Sequence, residues 1–137
     1  MREDHYQLLY QFVKWAGEQP HIEGVALIGS CADDESEEDS PLSFLIVSDR
    51  TNKTAEAIVR RFPFEPARLA TKEEAGPLTS IRIEYAGGLE ADYGIVDAAR
   101  PLEPLHEAIA DAALKGFKVL WENEELFGPI ARFVARS

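Results

Sequence analysis

The chain has 137 residues, of which 45% are hydrophobic, and a formal net charge of −11. This length favours a single domain over residues 1–137, and the hydrophobic content excludes wholesale disorder. The excess of acidic side chains argues against a nucleic-acid-binding surface, because such surfaces use basic residues to neutralise phosphates.

Other function classes are excluded by what the sequence lacks. No apolar run approaches the roughly 18–20 residues of a membrane-spanning helix. The charged start of the chain differs from a secretory signal. The single cysteine, Cys31, leaves no partner for an internal disulfide. We therefore expect a cytoplasmic protein of the soluble bacterial type, with neither a membrane nor a nucleic acid as its partner.

Two patterns predict the secondary structure. Apolar residues three and four positions apart indicate amphipathic helices, and short apolar runs bounded by turn residues indicate buried strands. In chain order the predicted elements are a helix over 3–18, strands over 23–28 and 42–48, a helix over 51–62 with Thr51 as its N-cap, a short strand over 67–70, strands over 80–85 and 89–96, a helix over 103–115, a strand over 117–121 and a last helix over 123–135. Gly87 and Gly88 separate two of these strands, which is typical of a β-hairpin. Helices interspersed with strands predict an α/β or α+β domain.

The first predicted strand runs directly into Gly29 and Ser30. A glycine lets a ligand approach the backbone closely, and a serine adds a hydroxyl group. A Gly-Ser pair at the end of a strand can therefore turn backbone N–H groups towards an anion. A plain turn has the same sequence, so the pair by itself leaves both interpretations open.

The residues that follow extend this motif. Residues 29–49, GSCADDESEEDSPLSFLIVSD, resemble the signature of the polymerase-beta-type nucleotidyltransferase superfamily, in which G-S-x-A-x-G precedes S-D-x-D and an apolar strand. The positions that match the signature are Gly29, Ser30, Ala32 and Ser40. GGLEADYGIVD resembles the family's third strand and places Asp92 at its third carboxylate, while LKGFKVLWEN resembles its closing helix and strand. The resemblance covers residues 22–125 and implies a mixed twisted sheet with helices packed on one side.

The positions of the signature that bind metal ions in this family have different residues in this chain. Nucleotidyl transfer holds two divalent ions between carboxylates and the triphosphate, and two aspartates at alternate strand positions supply that clamp. By the resemblance, those two positions are Pro41 and Ser43 here. A serine hydroxyl is a weaker Mg²⁺ ligand than a carboxylate, and proline offers no side-chain ligand. Since Asp92 alone remains of the three, we expect an impaired or inactive nucleotidyltransferase.

Other acidic residues could complete a metal site. Asp39 could shift into the metal position, and Glu84, which also lies between apolar residues, is an alternative to Asp92. The acidic segment 33–39 could hold a cation, but it lacks the glycine and the distal glutamate of a hand-type calcium loop. A solvated loop is the simpler interpretation of this segment. The arginines that could meet a phosphate or an acidic partner are Arg60, Arg61, Arg68 and Arg82.

Three functional hypotheses follow. The domain is a degenerate nucleotidyltransferase that acts by binding a nucleotide, another ligand or a protein partner. Alternatively, it is a working transferase that moves a nucleoside monophosphate onto a small molecule or protein, with Mg²⁺ on Asp92 and non-standard ligands. The third hypothesis is an unrelated interaction module with the same architecture. Few residues follow position 122, so we expect any acceptor surface to come from a second copy or another chain.

Overall fold

The computed structural model describes residues 3–33, 41–99 and 105–136, and within them the chain forms one six-stranded sheet and four α-helices. In chain order the elements are α1 (Glu3–Gly17), β1 (Ile22–Ile28), a 3₁₀ turn (Ser30–Asp33), β2 (Leu42–Ser48), α2 (Thr51–Arg60), β3 (Ala67–Ala75), β4 (Leu78–Tyr85), β5 (Glu90–Asp97), α3 (Glu107–Lys115), β6 (Phe117–Glu122) and α4 (Gly128–Ala135). None of these helices is long and apolar enough to cross a membrane. The α/β class predicted from the sequence is confirmed.

The strands are ordered β3-β4-β5-β2-β1-β6 across the sheet. β2 and β5 run parallel, whereas the other neighbouring strands run antiparallel. Between β2 and β5 the chain passes through α2 and the β3–β4 hairpin, because parallel strands need a long crossover connection. β1 and β2 are nearly continuous apolar runs, as expected for central strands covered on both faces.

Helices cover both faces of this sheet. On one face, α1 and α2 pack through Phe12 and Ile58 onto the core around Phe44. On the opposite face, α3 and α4 pack through Ile109 and Ile130 onto the alternate side chains of β1 and β2. The expectation that the helices pack on one side is therefore corrected. Successive strand residues point to opposite faces, and an apolar run needs cover on both.

Several element boundaries differ from the sequence-based predictions, and three of them have a clear physical reason or consequence. β3 continues to Ala75, because its polar second half is held by pairing with β4 and not by burial. α4 begins at Gly128, later than predicted. Thr51 is the first residue of α2 and not its cap; Arg50 occupies the N-cap without a side-chain hydrogen bond. The hydroxyl of Ser48 accepts the Arg50 N–H at 3.0 Å instead.

Phe12 is the centre of an aromatic cluster beneath α1. Its side chain is fully buried. Its ring centroid lies between 4.7 and 5.8 Å from those of four other rings, Trp15, Phe44, Phe62 and Tyr93. These contacts attach α1 to the central strands of the sheet.

We expect Phe12→Ala to lower the free energy of unfolding by about 3–5 kcal/mol, because it removes a buried ring and leaves a cavity. Urea denaturation followed by circular dichroism measures the loss. Tyr10→Ala is the matched control on the same helix, because Tyr10 is 73% exposed; we expect it to change stability by no more than about 0.5 kcal/mol. Equal losses in the two variants would contradict the assigned role of Phe12.

A pair of tyrosines joins β4 to β5 on the same face. The hydroxyl groups of Tyr85 and Tyr93 lie 2.7 Å apart in a buried hydrogen bond. Burial, with a smaller contribution from Tyr85, raises the pKa of Tyr93 well above its ordinary value. Burial also raises the pKa of Tyr85. Both groups therefore stay protonated in the folded state at a pH where free tyrosine ionises.

This difference predicts a loss of stability at high pH. Above the ordinary tyrosine pKa of about 10, the unfolded chain releases its tyrosine protons while the folded state keeps them, so stability falls as pH rises. We expect Tyr93→Phe to reduce that fall by up to about 1.4 kcal/mol per pH unit. Urea denaturation at a series of pH values across pH 10 measures both slopes. Tyr10→Phe, at an exposed position, serves as the control and should keep the wild-type slope.

Candidate functional site

One row of cross-strand neighbours carries the polar side chains of the candidate site. Thr71 on β3 lies opposite Arg82 on β4, and Arg82 lies opposite Asp92 on β5. Asp92 in turn is paired with Ser43 on β2. Residues directly opposite each other share a face of the sheet, so these four side chains lie on the face that α3 partly covers.

The parallel pairing of β2 with β5 brings Ser43 and Asp92 side by side. By the family resemblance, these are the positions of the second and third carboxylates. Pro41, at the position of the first, directly precedes β2 and is half-buried. Its carbonyl oxygen lies 3.5 Å from the Cys31 thiol. The structure thus places the predicted positions together, with one carboxylate among them.

That carboxylate is engaged by an arginine. Nε of Arg82 donates to Oδ1 of Asp92 at 2.6 Å, and Nη2 donates to Oδ2 at 2.8 Å. Paired N–H donors that meet both carboxylate oxygens form the strong, bidentate type of ion pair. The hydrogen bonds and the charge of Asp92 raise the pKa of Arg82 above its ordinary value. Asp92 is 29% exposed, so its charge is partly shielded from water as well.

A cleft with a volume of about 530 Å³ lies over this row. Its roof is formed by small and apolar residues of α3, including Ile109 and Ala112. Its floor carries hydroxyl and charged groups from four strands: Ser43, Thr71, Glu73, Ser80, Arg82 and Asp92. The remaining lining is mainly apolar, so the cleft combines a hydrophobic wall with a polar floor, as small-molecule sites commonly do.

Gly29 borders the row but does not offer its N–H to a ligand. Its φ of +87° is in the left-handed region, which favours glycine. Its N–H donates to the carbonyl oxygens of Ala112 at 3.2 Å and Gly116 at 3.0 Å, at the carboxyl end of α3. The last carbonyls of a helix lack partners within the helix. This N–H satisfies the carbonyl of Gly116 and shares that of Ala112 with the N–H of Gly116. The N–H of Gly29 is therefore engaged by α3, and the anion-binding role of Gly29 and Ser30 stays a prediction. Ser30 is half-buried at the start of the 3₁₀ turn.

Of the two alternative carboxylates, Glu84 does not join the row. Glu84 lies opposite Glu90 on β5, and its carboxylate is 2.6 Å from Nη2 of Arg68. Glu84 is not among the described residues that line the cleft. Asp39, and Ser40 beside it, lie outside the described residues.

The described residues do not fit the divalent ions that the resemblance implies. No cluster of three or more His, Cys, Asp or Glu side chains suited to a metal occurs in residues 3–33, 41–99 and 105–136. Among the four residues of the row, Asp92 supplies the one carboxylate, and both of its oxygens accept hydrogen bonds from Arg82. A hard cation such as Mg²⁺ would have to displace a guanidinium to bind there.

The sequence contained a signal for the Arg82–Asp92 pair. In a hairpin, residues at equal distances from the turn lie opposite each other. Arg82 precedes Gly87 by the same number of positions as Asp92 follows it, and the two residues are paired in the structure. The cleft residues Thr71 and Glu73 carried no such signal, because the length of β3 was not evident from its polar sequence.

A solved enzyme shares this fold. The crystal structure of an aminoglycoside 6-adenyltransferase from Bacillus subtilis is similar to 91% of this chain, with a TM-score of 0.57 and 16% sequence identity. The match covers 43% of that enzyme, so this chain spans less than half of its length. At this identity the likeness establishes a nucleotidyltransferase fold alone. No protein-family model and no curated protein matches the sequence.

If Ser43 and Arg82 prevent metal binding, replacing both residues should create a metal site. In Ser43→Asp/Arg82→Met, two carboxylates stand side by side on β2 and β5, and the guanidinium that holds Asp92 is gone. We expect this variant to bind Mn²⁺ at least about tenfold more tightly than the wild type, because affinity rises with the number of charged oxygen ligands. Electron paramagnetic resonance of free Mn²⁺ measures it. Equal affinity in Arg82→Met and the double variant would contradict the role given to Ser43.

Proposed function

We propose that this chain is a nucleotidyltransferase-fold domain that binds a small amine- and hydroxyl-bearing ligand in the cleft and does not catalyse metal-dependent nucleotidyl transfer. The observation that carries the proposal is the bidentate pair between Arg82 and Asp92, beside Ser43. Where the family's reaction needs two cations held by several carboxylates, this row contains one carboxylate that is already neutralised.

The electrostatics of the cleft favour a cation over a triphosphate. Asp92 and Glu73 line it, and Arg82 is the one cationic side chain among the described lining residues. The N–H of Gly29 occupies the carbonyl oxygens of Ala112 and Gly116 at the carboxyl end of α3, so the charge of the cleft is set by its side chains. A triphosphate would meet net negative potential in the cleft, whereas an amine would be attracted.

The hydroxyl groups of the floor suit a ligand with many polar groups. Ser43, Thr71 and Ser80 each provide one donor and two acceptor positions. Apolar side chains such as Ile109 and Leu78 complete the lining and would exclude water from the ligand's carbon skeleton. An aminosugar combines amines, hydroxyl groups and a carbon skeleton in one small molecule. The similar solved enzyme is named for adenylating aminoglycosides, which makes this class the first one to test.

Loss of nucleotidyl transfer is tested with nucleoside triphosphates labelled at the α-phosphate, in the presence of Mg²⁺ or Mn²⁺ and an aminoglycoside. We expect no transfer of label to the aminoglycoside or to the protein. Turnover that Asp92→Asn abolishes would overturn this half of the proposal. It would favour a working transferase with non-standard metal ligands.

Ligand binding is tested by calorimetry with the aminoglycoside kanamycin. We expect Glu73→Gln to weaken binding about three- to tenfold, since the variant loses one ion-paired hydrogen bond at the edge of the cleft. Glu74→Gln is the matched control: it removes the same charge from the next residue of β3, which does not line the cleft. Equal weakening by both variants would mean that kanamycin binds the acidic surface without a specific site.

A further inference from the structure

β3 presents a long strand edge that the described fold leaves open. It is the end strand of the sheet, and no strand in residues 3–33, 41–99 and 105–136 pairs with its outer edge. All nine of its residues, Ala67–Ala75, are exposed, and Leu69 is a large apolar side chain with 56% of its surface in contact with solvent. Such an edge is a template for pairing with another strand.

The turn that follows β3 determines which backbone groups face outward. Ala75 and Leu78 are paired across the two residues Gly76 and Pro77. Residues that flank a two-residue hairpin turn exchange hydrogen bonds, and the exchange then alternates along an antiparallel ladder. Glu73 and Thr71 therefore bond towards β4. The N–H and C=O groups of Glu74, Lys72 and Ala70 point to the open edge.

We infer that β3 is a self-pairing edge, through which two copies of this chain form an antiparallel dimer with a continuous sheet. The two-fold axis passes between the two Thr71 residues. In this register Thr71 faces the partner's Thr71, Ala70 faces the partner's Lys72, and Leu69 faces the partner's Glu73. The edge groups of Ala70 and Lys72 then exchange hydrogen bonds across the interface.

Charge and the β-bulge of β3 select this register over its neighbours. With a two-fold axis perpendicular to the sheet, residues that lie opposite each other in the two copies must point to the same face. The axis can therefore pass only through a residue position, and moving it by one position shifts the pairing by two residues. Moving the axis to Ala70 would leave only residues 69–71 in regular pairing, because the β-bulge between Ala67 and Leu69 interrupts the ladder. Moving it to Lys72 would bring two lysines face to face. Like charges directly opposite each other destabilise a strand pair. With the axis at Thr71, the acidic Glu74 at one end of β3 instead approaches the partner's Arg68 at the other.

The same register continues the cleft into the second copy. Thr71 and Glu73 line the cleft of each copy. Pairing at Thr71 would place the partner's Thr71 and Leu69 directly beside them, which covers exposed Leu69 and lengthens the polar floor. The β-bulge between Ala67 and Leu69 interrupts the ladder, so the regular pairing runs from Leu69 to Glu73.

Disulfide cross-linking tests the register. Thr71→Cys places two thiols opposite each other at a pair without mutual hydrogen bonds, where Cα atoms approach to about 4.5 Å, within the range of a disulfide. We expect rapid formation of a covalent dimer under mild oxidation. Leu69→Cys is the control on the same face, because its partner in this register is Glu73. The wild type should not cross-link, since Cys31 is buried. Equal cross-linking of both variants, or of neither, would overturn the proposal.

Sedimentation equilibrium tests the dimer without a covalent link. We expect the wild type to sediment as a concentration-dependent dimer, and Ala70→Pro to raise its dissociation constant at least about tenfold, because proline removes an N–H from each open edge. That N–H does not bond to β4, so circular dichroism should show an intact fold. Lys72→Pro provides the second variant: it removes the other outward N–H of the Ala70–Lys72 pair and should weaken the dimer in the same way. A wild type that stays monomeric at every concentration, or variants that dimerise equally well, would contradict the inference.

Discussion

The parallel pairing of β2 with β5 sets which side chains meet in the cleft. Ser43 and Asp92 are far apart in the sequence, and the register of these two strands puts them side by side. Antiparallel pairing of β5 with β4 then adds Arg82 to the same row. The crossover through α2 and the β3–β4 hairpin is what permits a parallel pair. The site therefore rests on backbone hydrogen bonding before any side-chain contact forms.

In the proposed function, the row holds an ion pair where the family's reaction needs a cation site. The nucleotidyltransferase reaction needs carboxylates free to coordinate metals, and here the remaining carboxylate binds a guanidinium with both oxygens. The pair is partly exposed, so its contribution to stability is modest. Its larger effect is on recognition, because it removes most of the negative charge that would attract Mg²⁺. In the proposed function, Glu73 supplies the remaining negative charge that favours an amine over a triphosphate.

α3 has a second role at the signature loop. Its last carbonyl groups accept the N–H of Gly29, which ties the turn after β1 to the helix that roofs the cleft. The same packing gives the sheet its second apolar layer, through Ile109 and Ala113. The layer stops short of β3, whose residues are all exposed. The uncovered part of the sheet is thus next to the cleft. A second copy paired with β3 would extend both the sheet and the floor of the cleft.

The sequence by itself determined most of the elements and pointed to the fold. Apolar runs located β1 and β2, Gly87 and Gly88 located the β4–β5 hairpin, and the spacing after Gly29 pointed to the fold. These are local properties, read from neighbours in the chain. The tertiary structure decided that helices cover both faces, that Gly29 bonds to α3, that β3 reaches Ala75 and that Ser43 lies beside Asp92. Each of these depends on which strand pairs with which or on where a helix packs, and such long-range contacts leave little trace in local sequence patterns.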